Sequence, residues 1–86
     1  MVVTLKRHIN KNERYYRISI IKNLFNEYIV ERVFGNTRYI TPTGKVINIF
    51  NSQYEAIEYI KVLLKKKLNK GYKQCTNKYQ RLNNAI

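Results

Sequence analysis

"EYIVERVFGNTRYITPTGKVINIF", Glu27 to Phe50, decides how this chain folds. Its opening residues alternate, with Tyr28, Val30, Arg32 and Phe34 on one face and Ile29, Glu31 and Val33 on the other, the period of a strand that buries one side. At Gly35 and Asn36 the alternation breaks into the Thr, Pro and Gly of a turn, and Lys45 to Phe50 returns as a second strand with Val46 or Ile47 inward. Three bases, Arg32, Arg38 and Lys45, stand near the tip, and Phe34 sits at the break beside a glycine that lets another group approach closely. The stretch reads as a hairpin whose tip is either solvated or grips a ligand.

Upstream, Val2 to His8 is expected to be a strand, and Asn10 to Glu13 has turn chemistry. "RYYRISII", Arg14 to Ile21, then alternates, with Tyr16, Ile18 and Ile20 on one face and Tyr15, Arg17, Ser19 and Ile21 on the other. Four β-branched and aromatic-rich segments joined by short turns predict an antiparallel sheet. Tyr16, Tyr28, Phe50 and Tyr59 are expected to pack in the core or on the sheet.

Downstream, Ser52 with Glu55 three residues on forms a capping box that opens a helix. Ala56, Ile57, Ile60, Leu63, Leu64 and Leu68 fall within an arc of about 140° at the helical period, so one stripe faces the sheet. Lys65, Lys66, Lys67 and Lys70 complement the dipole at its end, and Gly71 is the expected left-handed stop, after which Tyr72 can fold back on the last turn. Lys67 falls inside the apolar arc, so it must snorkel out or meet a partner such as Glu31. The fold class is therefore α+β, an antiparallel sheet with one long helix packed across it. The domain is expected over residues 1–73. The basic, Asn-rich tail of 74–86 is read either as frayed or as a short docking helix presenting Cys75, Tyr79, Leu82 and Ile86.

At 86 residues the sequence has room for one small domain. The single cysteine, Cys75, excludes an internal disulfide and a Cys-based zinc site, and it fits a reducing, cytoplasmic setting. No apolar run approaches the ~18 residues of a membrane span, and "MVVTLKRHIN" lacks the core of a signal peptide. No catalytic constellation can be assembled. His8 is the only histidine, the five carboxylates show no acid/base pair, and there is no Gly-rich phosphate loop before a helix. The reading is of a protein that is not an enzyme and uses no cofactor or metal.

Charge is the strongest global fact. Seventeen Lys and Arg stand against five Asp and Glu, a net charge of +12, and residues 61–86 hold bases with no acid. Such a surface attracts polyanions, so nucleic acid is the first partner to consider. A membrane surface is disfavoured, because no basic helix also presents an exposed Trp, Phe or Leu face. Eight Tyr and three Phe among these bases supply stacking groups as well as cations. The alternatives are a module that docks an acidic protein partner, and an RNA-binding one.

"RYYRISI", "EYIVERVFGN", "PTGKVINIF" and "SQYEAIEYIKVLLKKKLNKGY" together resemble the WGR domain, the Trp-Gly-Arg module of DNA-dependent poly(ADP-ribose) polymerases and of bacterial stand-alone proteins. The likeness runs from about Leu5 to Lys73. It implies an antiparallel sheet crossed by one helix and a DNA contact, often near a strand end. By position, Phe34 stands where the family has Trp or Tyr, Gly35 matches, and Asn36 occupies the Arg position, with Arg38 two residues later. The resemblance implies that Phe34 packs against a terminal sugar or base. Arg32, Arg38, Lys45 and the helix end with Lys67 are the expected phosphate contacts.

Overall fold

The computed structural model describes residues 1–75. β1 (Val2–Ile9), β2 (Asn12–Lys22), β3 (Tyr28–Asn36) and β4 (Gly44–Phe50) are followed by α1 (Gln53–Asn69) and β5 (Lys73–Cys75). The five strands form one sheet in the order β4-β3-β2-β1-β5, and every recorded pairing is antiparallel. The α+β class and the antiparallel sheet crossed by one helix are as the alternation and the capping box predict.

The turns follow local chemistry. Asn10, at φ 58°, and Asn26, at φ 62°, take the left-handed conformation that Asn tolerates better than most residues. In the β2–β3 connection Asn23 Oδ1 accepts the backbone N–H groups of Phe25 and Glu27 at 2.9 Å each. That brace holds the loop while Leu24 and Phe25 point outward into solvent.

Alternation then selects the core. Leu5, Tyr16, Ile18 and Val30 lie on one face of the sheet, and Ala56, Ile60 and Leu63 of α1 bury against them. Tyr28, Phe50 and Tyr59 pack around this cluster, as expected for the half-buried aromatics. Val46 is the inward residue of β4, whereas Ile47 lies exposed on the far face. No helix or second sheet among the described residues packs on that face, and Ile21, Ile47 and Ile49 stand open on it.

Three details differ from the sequence reading. Leu68, at the rim of the predicted apolar arc, is about half exposed, because the arc's outer edge overruns the sheet. Gly35 and Gly44 are strand residues, paired with Tyr15 and Phe34 respectively, and the turn begins only after Asn36. What Gly35 provides is room: a Cβ there would stand 2.9 Å from the backbone nitrogen of Thr43. The third is β5, which sequence patterning did not predict. Of the alternative docking helix in the tail, Cys75 is instead a β5 residue paired with Thr4, and residues 76–86 lie outside the described residues.

β5 follows from the helix length. Seventeen residues of α1 span about 25 Å, and four strand spacings span about 19 Å. The helix thus carries the chain from the β4 edge over to β1, where Lys73, Gln74 and Cys75 pair with Lys6, Leu5 and Thr4. It arrives at the end of the sheet that bears the β1–β2 turn and the β3–β4 loop.

A cationic aromatic cleft at the helix end

The C-terminus of α1 stops in a Schellman motif. Gly71, at φ 101°, lets its N–H reach Leu68 O and the N–H of Tyr72 reach Lys67 O, both at 3.1 Å. The reversal drops Tyr72 back onto the sheet, edge-on to Tyr16 with ring centres 6.3 Å apart. Tyr16 in turn stacks on Phe34, with centres 5.6 Å apart and planes 9° from parallel. Phe34 lies over its cross-strand partner Gly44, where a Cβ would stand 2.5 Å from the ring. A shallow cleft of about 180 Å³ opens here, lined by Arg14, Tyr16, Phe34, Gly35, Lys67 and Tyr72 among others.

Lys67 is the centre of the cleft. Its ammonium sits 4.2 Å from the Tyr16 ring centre and 5.5 Å from that of Tyr72, within cation–π range of both. Arg7 also approaches Tyr72, its guanidinium carbon 6.0 Å from the ring centre. Partial burial holds the Lys67 pKa below its usual value, and the neighbouring charges of Lys70 and Arg32 push it further down. Among the described residues, Arg7, Arg14, Arg32 and Lys67 make no ion pair.

The expected partner Glu31 does not reach Lys67. Alternation puts it on the uncovered face, where it pairs with Lys45 at 3.4 Å. Strand parity therefore separates the predicted site residues. Phe34, Gly35 and Lys67 meet in the cleft, while Lys45 lies across the sheet from them.

Arg32 is on the helix side but half-buried beneath α1. It donates to Tyr16 Oη at 3.2 Å and to Asn48 Oδ1 at 3.5 Å, and its guanidinium carbon lies 5.7 Å from the Tyr59 ring centre. Its Nε is buried with no hydrogen-bond partner. Placed so, Arg32 contributes positive potential to the seam rather than an open donor fork.

Asn36 uses its side chain on the loop. Oδ1 accepts the Arg38 N–H at 2.9 Å, and Nδ2 donates to Asn12 Oδ1 at 3.4 Å. Arg38 follows on the exposed loop and lines neither the cleft nor the cavity on the opposite face. Arg7, Arg14 and Tyr72 were not among the predicted site residues. The Tyr72 reversal was readable from Gly71, but Arg7 and Arg14 carry no local signal, since only the cross-strand pairing Arg7 with Arg14 brings them side by side.

No cluster of three or more metal-ligating side chains occurs among the described residues, and no described helix is long and apolar enough to cross a membrane. A family model described as the WGR domain matches residues 1–79, nearly the whole chain. Neither a curated protein nor a solved structure gives a significant match.

Proposed function

The chain belongs to the WGR family, and from that premise we propose that it is a non-enzymatic DNA-binding module that holds the phosphate backbone in the cleft at the end of α1. The observation that carries this reading is Lys67: a half-buried cation on two aromatic rings, flanked by further cations, with no carboxylate partner among the described residues. Burial weakens its hydration, and the like charges of Arg32 and Lys70 raise its energy, so an anion entering the cleft relieves both. A phosphate is the anion that also suits the exposed Arg14 and the nearby Arg7, because guanidinium groups offer paired donors to phosphate oxygens.

Phe34 supplies the apolar wall. Its stack on Tyr16 preorganises the ring, so a terminal sugar or base can lie against its free part with little ordering cost. Arg38 on the loop, and Lys66 and Lys70 on the helix end, extend the positive surface around the cleft. Lys45, across the sheet and paired with Glu31, is the least suited of the predicted contacts.

An anisotropy titration at two salt concentrations tests the reading, using blunt 5′-phosphorylated duplex, 5′-hydroxyl duplex, a closed hairpin and RNA. Steeply salt-dependent duplex binding that weakens in Lys67→Met is the expected result. Salt-insensitive binding would contradict the mechanism. Absence of nucleic-acid affinity at physiological salt, with capture of an acidic protein instead, would overturn the function.

A further inference from the structure

The face of the sheet away from α1 holds an open cavity larger than the cleft, about 370 Å³, beside the β3–β4 loop. It is lined by Tyr15 and Arg17 of β2, Lys6 of β1, and Tyr39, Ile40 and Pro42 of the loop. The loop is tied to the sheet at both of its ends. Thr37 N–H donates to Glu13 O at 2.9 Å, and Thr43 N–H donates to Phe34 O at 2.9 Å.

The walls have two chemistries. Tyr15 and Tyr39 offer aromatic surface, and Ile40 and Pro42 add apolar surface. Arg17 lies 6.0 Å from the Tyr15 ring centre and has no carboxylate partner among the described residues. Lys6 is held by Glu13 only at 3.8 Å. Such a cavity suits a ligand that is planar at one end and anionic at the other. Its volume lies at the low end of the roughly 300–1,000 Å³ that single small ligands occupy.

We propose that this cavity binds one unpaired nucleotide, its base against Tyr15 and Tyr39 and its phosphate at Arg17 and Lys6. The ligand class rests on the reading of the chain as a nucleic-acid-binding module. The position does not, because the cavity and the cleft lie on opposite faces of the sheet and share only Tyr15. Tyr15 passes beneath Gly35, where its hydroxyl would stand 3.2 Å from a Cβ. A strand bound at the cleft thus has a second anchor for a frayed or overhanging nucleotide.

The test is a two-dimensional amide NMR titration of the full chain with 5′-phosphorylated pentathymidylate, with inorganic phosphate and thymidine as separate arms. The expected result is shifts at Tyr15, Arg17, Tyr39 and Ile40, stronger with the oligonucleotide than with either fragment. Arg17→Gln and Tyr39→Ala, both at exposed positions, should each weaken the oligonucleotide about five- to tenfold. Their affinity for a DNA hairpin closed by a non-nucleotide linker, which has no unpaired base, should change less than twofold. Shifts confined to Arg14, Lys67 and Tyr72, equal potency of phosphate alone, or unaltered affinity in both variants would each overturn the assignment. Shifts at the cavity together with no hairpin affinity would sink the duplex reading and leave this one standing. Hairpin binding lost in Lys67→Met with no shifts at the cavity would do the reverse.

Discussion

Lys67 places its ammonium 4.2 Å from the centre of the Tyr16 ring, inside the stripe of α1 that otherwise buries apolar side chains. A lysine at that position gives up hydration without gaining a carboxylate. If the cleft holds a phosphate there, Lys67→Met should lower duplex affinity about tenfold and reduce the slope of log K against log salt by about one unit. Titrations between low and physiological salt measure both, and an unchanged slope would remove Lys67 from the interface.

The same residue links stability to pH. Its pKa is lowered in the folded state from 10.5, so between the lowered value and 10.5 the unfolded chain binds more protons than the folded one. Stability attributable to Lys67 should therefore rise as pH increases through that window and stay level below it. Urea unfolding of the wild type and Lys67→Met from about pH 8 upward isolates the effect, because every other group is common to both proteins. Parallel curves would show that burial of this amine carries no cost.

Phe34 and Gly44 should be energetically coupled. A Cβ at Gly44 would meet the Phe34 ring, so Gly44→Ala is expected to cost about 1–3 kcal/mol in the wild type. It should cost almost nothing in a Phe34→Ala background. A double-mutant cycle by chemical denaturation reads the difference, and additive effects would mean that the ring moves aside freely.

Phe34 should also distinguish ends from interiors. Its ring lines the cleft beside Gly35, so Phe34→Ala, assayed where the variant remains folded, should weaken binding to blunt duplex more than to a closed hairpin. Equal losses on both would eliminate an end-specific contact.

Gly71 should tolerate no side chain well. At φ 101° an alanine is strained by on the order of 1–2 kcal/mol, and the Schellman bonds that return Tyr72 to Tyr16 would loosen. The denaturation midpoint should fall, and duplex affinity should fall with it as Tyr72 leaves the cleft. A variant as stable as the wild type would show that the reversal is not needed.

Part of the candidate cleft is legible in local sequence, element by element. Phe34 beside Gly35 at the end of an alternating strand, and Lys67 out of place in an apolar stripe, are both visible in local spacing. What misled was the reading of the glycines: Gly35 and Gly44 look like turn residues because turn and close-approach glycines have the same composition signature. Only the cross-strand register shows that one makes room for Thr43 and the other for Phe34.

The sequence by itself determined the first four strands, the capped helix and the charge, because each depends on neighbours within a few positions: alternation, capping by Ser52, reversal at Gly71. The tertiary structure decided which charges share a face. Strand parity and register send Lys45 to Glu31 on the open side and bring Arg7 and Arg14 together on the helix side. The helix, long enough to cross the sheet, then sets Lys67 among aromatics contributed by β2, β3 and the chain beyond its own C-terminus. A local pattern contains the side chains of that cleft but not their meeting, which is a property of how far α1 travels.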